Sequence, residues 1–431
     1  MKPIIFVRVF VVLGLSASIF GCIIGSSAVR QESNAAARWV ATDITHYRQT
    51  KAPTVPTSPE DGLSSADRKL FASIYDRVRT HYVRETDERT LLAAAAEGMR
   101  RAHPDPVNVG TRSLVEAAIN GMLSSLDPYS SYLDKAHWKA LREQTSGEFG
   151  GIGIQVRKGK GYIEVISPID GTPAAKAGVL PGDHILRANG TSFEKMLLRD
   201  AVLILRGRPG SYVTLTLRRP NEPHFELPIK RAVIKVASVR FRMEKDIGYI
   251  RLSRFSERTS EEVMRAVGTI KASLGSKLKG YVLDLRSNPG GLFDQSIEVA
   301  DIFLNGGRVV STKDRLDERH YQATAGDASG GAPIVVLIDK GSASAAEIVA
   351  GALKDHRRAT LVGTRSFGKG SVQTLLPLTA EDRLKLTTAI YLTPSGDSVD
   401  GGISPNFVVP MTDKRDSDDQ LNYALKFLRK L

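Results

Sequence analysis

The chain has 431 residues, of which 42% are hydrophobic and 25% charged, and its formal net charge is +13. This length favours two or three domains, with enough apolar residues for a core in each. Basic surfaces bind phosphate backbones, but no dense basic tract is interleaved with aromatic residues, so we expect no nucleic-acid function and more readily an attraction to anionic membranes. The eight histidines have neither HxxxH nor HExxH spacing, so we expect no metal site and no cofactor.

The N-terminus predicts export. Residues 9–24 form an unbroken run of apolar or small residues after the basic Lys2 and Arg8. The run is intermediate between a signal-peptide core and a transmembrane span, so residues 1–30 are interpreted as a signal peptide or membrane anchor. Cys22, the only cysteine, lies in an imperfect lipoprotein motif, and cleavage, retention and lipidation all stay open. We expect a periplasmic or other extracytoplasmic location, with anchoring to the inner membrane as an alternative.

Residues 31–65 are polar, with three prolines after Lys51, and are interpreted as a linker. Residues 66–146 are predicted to be helical, because apolar residues such as Leu70, Ile74 and Val78 recur at helical spacing. Residues 101–111 contain proline and glycine and interrupt this pattern like an insertion of unknown role.

A glycine-rich segment, residues 149–154 (FGGIGI), precedes an alternating apolar stretch and the pattern AGVLPGDHI at residues 177–185. Together these segments resemble a PDZ domain covering residues 147–232. The resemblance implies that backbone amides of Gly151, Ile152 and Gly153 bind a peptide C-terminus. The strand that begins near Ile154 would accept the peptide as an additional strand.

Ser344 lies in residues 341–347 (GSASAAE), between the apolar run 333–338 and a helical pattern over residues 345–353. A serine at a strand-to-helix turn has unpaired helix amides beside it, and the Ala345 amide is the natural first donor to an oxyanion. The alternative is structural, because Ser344 and Glu347 also have the spacing of a capping box.

Lys369 lies in residues 366–373 (SFGKGSVQ) and is the candidate base for Ser344. A lysine accepts a proton only when it is neutral, so its pKa must be lowered by burial and activity should rise with pH. Gln373 follows four residues later, a separation that keeps two side chains on one face of a helix or strand. It could therefore orient the lysine amine.

Residues 288–291 (NPGG) form a second strand-to-helix turn, after the apolar run 280–285. Either Gly290 or Gly291 could expose an amide as a second oxyanion donor. A plain turn is the alternative interpretation.

These motifs, with residues 282–287 (VLDLRS), 350–355 (AGALKD) and 402–405 (GISP), closely resemble the carboxyl-terminal processing proteases, also called tail-specific proteases. The resemblance extends from about residue 67 to the C-terminus. Ala346 and Thr364 depart from the usual family pattern without replacing a catalytic group.

The resemblance implies roles for the candidate residues. Ser344 would be the nucleophile, Lys369 the general base and Gln373 its positioning residue. The amide of Ala345 and that of Gly290 or Gly291 would form the oxyanion hole. In the family an arginine of the PDZ module couples peptide binding to the active site; Arg206 could be its equivalent or a solvated surface arginine.

The expected fold is therefore multidomain α+β. It comprises a helical N-terminal region, a PDZ domain, an α/β serine protease core of the tail-specific protease type at residues 233–415, and a C-terminal helix at residues 416–431.

The expected function is that of an ATP-independent serine endopeptidase that recognises C-terminal tails through the PDZ domain and cleaves through an acyl-enzyme. Two alternatives stay open. One is a hydrolase with His356 or His320 as base, and the other is a tail-binding adaptor with a silent or partner-activated protease core. Expected partners are proteins or peptides with free C-termini, an adaptor or activator, and the membrane. A second copy could pack through the N-terminal helices and residues 420–431, or residues 420–431 could equally pack back on their own domain.

Overall fold

The structure, a computed structural model, describes residues 25–51, 63–219, 222–411 and 418–431. It divides into two compact units. One comprises the described residues up to Tyr132 with residues 374–387, and the other comprises residues 133–373 and 388–431. The predicted signal segment lies outside the described residues as far as residue 24, which includes Cys22. Within the described ranges, no helix is long and apolar enough to cross a membrane.

The first unit contains the expected helical N-terminal region. Its helices share a buried core that includes Ile44, Ile74 and Met99. The side chains of Ser64 and Asp87 accept backbone amides and so cap two of the helices. The helices are α1 (Gly25–Lys51), α2 (Ser65–His81), α3 (Glu88–Ala102) and α4 (Thr111–Ser124).

The interpretation of residues 31–65 as a linker is wrong for residues 31–51, which belong to α1. The segment is polar overall, but Ala36, Val40, Ile44 and Tyr47 recur on one helical face and are buried. The Tyr47 hydroxyl also donates to the His103 carbonyl at 2.8 Å. A helix and the 101–111 segment therefore contact each other where the composition predicted a free chain. The three prolines lie at residues 53–59, outside the described residues.

A short strand, β1 (Ser131–Leu133), and helix α5 (Lys135–Ser146) lead into the PDZ-like module. Its main sheet has the order β3-β4-β5-β7-β8, so β3 lies at an edge with one neighbour in the sheet. The strand β2 pairs instead with β9. The elements are β2 (Glu148–Gly151), β3 (Ile154–Lys158), β4 (Ile163–Pro168), α6 (Pro173–Lys176), β5 (His184–Ala188), β6 (Thr191–Ser192), α7 (Leu198–Leu205), β7 (Tyr212–Arg218), β8 (Phe225–Lys230) and β9 (Ala232–Lys235).

The region expected to be the protease core is built on a sheet of order β10-β11-β12-β15-β16-β19, in which neighbours from β11 onward are parallel. Every residue of β12 and β15 is buried, because helices cover both faces of a parallel sheet. Its elements are β10 (Val239–Glu244), β11 (Ile247–Leu252), α8 (Thr259–Leu274), β12 (Gly280–Asp284), α9 (Phe293–Asp301), β15 (Ile334–Ile338), α10 (Ala345–Asp355), β16 (Ala359–Gly363), β19 (Phe407–Val408) and α11 (Asp419–Lys430).

A second sheet contains Tyr391, whose hydroxyl contacts the carbonyls of Ser344 and Lys369. Besides β1, its strands are β13 (Gly307–Lys313), β14 (Glu318–Ala323), β17 (Ser371–Pro377) and β18 (Arg383–Leu392). The strand β13 pairs with both β14 and β18, and Thr312 lies opposite Tyr391 in this register.

A buried ion network fixes the end of β12. Asp284, 1% exposed, accepts bonds from Arg286, Arg251 and the Tyr249 hydroxyl. Burial opposes ionisation, but the bonds and charges of Arg286 and Arg251 outweigh it and lower the pKa of Asp284. Arg286 also binds both carboxylate oxygens of Asp418, which caps α11. The C-terminal helix is thus tied to the strand that leads into the NPGG turn.

Replacing Arg286 with methionine should destabilise the protein by about 3–5 kcal/mol, because Asp284 loses its main partner while staying buried. Urea unfolding at neutral pH measures this loss. Since the pKa of Asp284 is lowered by folding, its contribution is complete above about pH 4, its ordinary value, and is lost on further acidification.

The matched control is Arg265→Met. Arg265 bonds Glu261 at 2.6 Å, but both side chains are more than half exposed, and such surface pairs contribute about 1 kcal/mol or less. Equal losses in the two variants would contradict the importance of the buried network.

Candidate active site

Ser344 lies on the expected strand-to-helix turn, between β15 and α10. Its backbone has φ 55° and ψ −117°, a conformation that residues other than glycine rarely adopt. Such strain persists only where surrounding contacts fix it, and it concentrates at functional sites. The glutamate half of the capping box is present, because Glu347 Oε2 accepts the Ser344 amide at 2.7 Å. Helix capping by Glu347 therefore helps to hold this unusual conformation.

The NPGG turn lies directly against the turn that carries Ser344, called the nucleophile turn after the role predicted for that serine. A side-chain carbon at Gly290 would lie 2.9 Å from Ser344 Cβ and 3.0 Å from the Ala345 amide nitrogen. The Ala343 amide donates to the Asn288 carbonyl at 2.9 Å. Only glycine fits at position 290, and the two candidate oxyanion segments meet beside Ser344.

The two glycines of this turn differ in what their amides do. The Gly290 amide donates to the buried Asn288 side chain at 2.9 Å. For the Gly291 amide we find no hydrogen-bond acceptor within the described residues, and the same is true of the Ala345 amide. Gly291 itself is exposed. The available pair of donors is therefore Ala345 and Gly291.

The side chain of Glu347 joins the nucleophile turn to the loop that carries Lys369. Glu347 is fully buried. Its Oε1 accepts the Ser366 hydroxyl at 2.6 Å and the Gly368 amide at 2.7 Å. Its Oε2 accepts the Ser344 amide at 2.7 Å and the Lys369 amide at 2.9 Å. A carboxylate has acceptor positions for all four bonds.

Tyr391, on β18, also contacts both halves of the proposed dyad. Its hydroxyl lies 3.2 Å from the Ser344 carbonyl and donates to the Lys369 carbonyl. Its amide donates to the Gly370 carbonyl at 2.8 Å, and its side chain is 1% exposed.

The sequence analysis missed Tyr391 and assigned Glu347 only a capping role. The apolar sequence around Glu347 was an available signal, because a charged residue in a buried helix must be well bonded. For Tyr391 the sequence contained no comparable signal.

Gln373 lies in β17, and its side-chain amide donates to Ser371 Oγ at 2.9 Å. Lys369 precedes that strand in an irregular loop, so the argument from regular strand periodicity does not apply to this pair. The role of Gln373 in orienting Lys369 stays a prediction. The GISP segment contributes through Ile403, whose amide donates to Ser366 Oγ at 2.7 Å.

The two histidines considered as alternative bases have other partners. His356 caps the C-terminal end of α10 and contacts the Arg308 carbonyl at 2.7 Å. Eleven helical residues separate it from Ser344, a distance of about 16 Å along the helix axis. His320 bonds Ser311 Oγ at 2.8 Å on the neighbouring strand.

The glycine-rich loop of the PDZ-like module uses its carbonyls internally. The Ile152 carbonyl accepts the Ala174 amide, and the Gly153 carbonyl accepts the Ile169 amide, each at 2.9 Å. Gly153 has φ +79°. We find no bond from the Ile152 and Gly153 amides in the described part of the chain. These amides lie at the end of β2, which finishes at Gly151, and just before the edge strand β3, which begins at Ile154.

The side chain of Arg206 is 39% exposed and also has protein partners. The residue caps the C-terminal end of α7, donates to Glu143 of α5 at 2.9 Å and lies 4.2 Å from the centre of the Phe149 ring. It also borders a cavity of about 450 Å³ whose lining includes Ser253 and Arg254 of the protease core. Its contacts are thus with α5 and the cavity, and no described contact joins it directly to Ser344 or Lys369.

Among the described residues, no group of histidine, cysteine, aspartate and glutamate side chains could hold a metal ion.

Comparisons with known proteins identify the family of the chain. Residues 246–409 match peptidase family S41, and residues 150–226 match the PDZ domain family. A carboxy-terminal-processing protease of Bartonella bacilliformis is 49% identical over 80% of this chain and 76% of its own length. The carboxy-terminal processing protease CtpA of Bacillus subtilis is 38% identical over 82% of this chain and 72% of its own.

A solved structure described as photosystem II D1 C-terminal processing protease is 30% identical, with a TM-score of 0.49 over 81% of this chain and 94% of its own. The sequence relationships confirm the expected combination of helical region, PDZ domain and protease core. The chain belongs to peptidase family S41, as a serine-type carboxy-terminal processing protease with a PDZ domain.

Proposed function

We propose that this protease is an ATP-independent endopeptidase in which Ser344 is the nucleophile and Lys369 the general base. The observation that carries the proposal is the binding of both residues' backbone amides to one buried carboxylate, Glu347. That shared anchor keeps the backbones of Ser344 and Lys369 within one small region. The amides of Ala345 and Gly291, for which we find no acceptor among the described residues, are the proposed oxyanion hole.

The reaction follows from these groups. Ser344 Oγ attacks the carbonyl carbon of the substrate, and its proton moves to Lys369 Nζ. The oxyanion is stabilised by the two amides, and the resulting ammonium returns its proton to the leaving amine as the peptide bond breaks. Water then attacks the acyl carbonyl carbon as Lys369 accepts its proton, and the ester bond breaks as Lys369 returns that proton to Ser344 Oγ and the new C-terminus is released. We propose that Gln373 orients the amine in both steps.

The lysine loop also supports independence from ATP. Residues 363–369 have the GxxxxGK spacing of a phosphate-binding loop, but Gly370 occupies the place of its hydroxyl residue. The chain continues into the strand β17 instead of a helix. The amides of Gly368 and Lys369 bind Glu347, so they are not available to cradle a phosphate.

We propose that the PDZ domain selects substrates by their C-terminal tails. The amides of Gly151, Ile152 and Gly153 would bind the carboxylate, and β3 from Ile154 onward would pair with the tail. Arg206 would then transmit occupancy of this groove through Glu143 to the cavity that Ser253 and Arg254 line.

We also propose that the protease is exported and acts in the periplasm or another extracytoplasmic space, attached through its N-terminal segment. The apolar run at residues 9–24 supports this. Resistance of the protein to external protease in intact cells whose outer envelope has been permeabilised would contradict an extracytoplasmic location. An activating adaptor and a homodimer stay among the expected partners.

Replacing Ser344 or Lys369 with alanine should reduce cleavage of a denatured protein by about 10³-fold or more, as loss of either member of a catalytic dyad does. The reaction is run without nucleotide, and fold is verified by thermal unfolding. Wild-type activity should rise with pH, since Lys369 must be neutral to act.

The control for this experiment is His356→Ala, which should keep wild-type activity. Activity that survives Lys369→Ala but not His356→Ala would contradict the dyad. Cleavage that requires ATP would contradict the nucleotide independence, and absence of wild-type cleavage would favour the adaptor or a missing activator.

Amidation of a peptide's C-terminus should weaken its binding to the full-length Ser344→Ala protein by about tenfold or more, because charge-assisted bonds to the PDZ amides are lost. A short fluorescent peptide with an apolar last residue, as free acid and as amide, gives both affinities. Equal affinities would rule out carboxylate capture.

The same peptide tests Arg206 in the active enzyme. Arg206→Met should leave tail affinity within about twofold but reduce the stimulation of cleavage by bound tail, because the bond to Glu143 is lost. The exposed neighbour Arg208, changed to methionine, is the control. Unchanged stimulation in Arg206→Met would contradict the coupling role.

A further inference from the structure

We infer that Glu347 and Tyr391 are positioning residues that together fix the separation of nucleophile and base by binding the backbones of both. The inference rests on the proposed Ser344/Lys369 dyad. Glu347 accepts the amides of Ser344 and Lys369. The Tyr391 hydroxyl contacts the carbonyls of the same two residues. Each catalytic residue is therefore held at its amide and at its carbonyl by groups shared with the other.

Lys369 needs such fixation because of where it lies. Residues 365–370 belong to no helix or strand, so no backbone ladder sets their position. Ser344 needs it for another reason, since its φ of 55° is unfavourable for a serine. Glu347 Oε2 accepts the backbone amides of both residues. Its Oε1 accepts the Gly368 amide and so also holds the loop.

Burying the charged side chain of Glu347 costs free energy, so its burial indicates that it has a specific structural role. A carboxylate with no exposure is retained in a protein only when its oxygens are well bonded. The two carboxylate oxygens of Glu347 accept four hydrogen bonds. Oε2 accepts two backbone amides, and Oε1 accepts one amide and the Ser366 hydroxyl. Glutamine cannot replace this arrangement, because its NH₂ group would face hydrogen-bond donors in either orientation.

Tyr391 obtains its position from a separate part of the core. It lies opposite Thr312 in the pairing of β18 with β13, and its amide bonds the Gly370 carbonyl. The hydroxyl is thus set by a sheet, while the carbonyls that it contacts lie on a turn and a loop. Its single proton is shared between the Ser344 and Lys369 carbonyls, so it limits how far these two groups separate.

The expected effect is on the chemical step. Displacement of a catalytic group by about 1 Å lowers a rate by up to about 100-fold. Glu347 and Tyr391 together are called the clamp. In the described structure their hydrogen bonds go neither to the PDZ groove nor to the NPGG glycines. Loss of the clamp should therefore lower kcat and leave KM nearly unchanged.

The first test is Tyr391→Phe, which removes the hydroxyl and keeps the ring. We expect kcat to fall about 10- to 100-fold with KM changed by less than about twofold. The matched control is Tyr281→Phe, since Tyr281 is also fully buried but its hydroxyl has no hydrogen-bond partner among the described residues. A kcat of Tyr391→Phe equal to that of Tyr281→Phe would overturn the role of Tyr391.

The second test separates positioning from stability. The rate at which a fluorophosphonate labels Ser344 is measured for wild type, Tyr391→Phe, Lys369→Ala and the double variant, with labelling followed over days. Tyr391→Phe should slow labelling in the wild-type background but not further in Lys369→Ala, because no amine is left to position. Equal slowing in both backgrounds would overturn the inference, whereas rapid labelling of Lys369→Ala itself would refute the proposed dyad instead.

The third test addresses Glu347. Glu347→Gln should lower kcat more than Tyr391→Phe does. Its control is Asp327→Asn, because Asp327 accepts the amides of Ser329 and Gly331 and a bond from Arg358 away from the dyad. The control should lose comparable thermal stability and keep its kcat. Equal kcat values in the two variants, measured well below both melting temperatures, would overturn the role of Glu347.

Discussion

The proposed active site of this protease is organised around the four hydrogen bonds that Glu347 accepts. The parallel sheet places the ends of β12, β15 and β16 side by side, since Leu337 pairs with Asp284 and Ile338 with Gly363. Sites in such folds form beyond these strand ends. The segments that follow are a turn, another turn and a loop, and their amides have no ladder partners. A buried carboxylate supplies partners where the ladder ends.

A second carboxylate, that of Asp339, also binds backbone amides that have no partner in the sheet. Asp339 Oδ1 accepts the amides of Ser287 and Gly341 at 2.7 and 2.9 Å, which joins the NPGG turn to the nucleophile turn. Two acidic side chains thus connect three irregular segments in sequence. Because most of the loop amides are occupied in this way, the amides that stay available, those of Ala345 and Gly291, acquire chemical significance.

Sequence reasoning identified the proposed nucleophile and base but missed the side chains that bind their backbones. Ser344, Lys369 and the NPGG turn lie in short motifs whose spacing carries chemical meaning. Tyr391 lies in an ordinary strand, and its approach to Ser344 depends on the pairing of β13 with β18, which no local pattern encodes. The helix α1 was missed for a different reason, since its buried residues are few and separated by polar ones. The polar composition of that segment made the helical spacing of its apolar residues hard to recognise.

The PDZ domain and the oxyanion hole meet at one short segment of the core. Ser253 and Arg254 line the cavity beside Arg206, and the next residue, Phe255, donates to the Gly290 carbonyl at 3.0 Å. The Phe255 carbonyl accepts the Leu292 amide at 2.9 Å, so this segment holds the NPGG turn on both sides of Gly291. The coupling proposed for Arg206 would therefore reach the Gly291 amide through this segment, whereas Glu347 and Tyr391 bind the backbones of the proposed nucleophile and base.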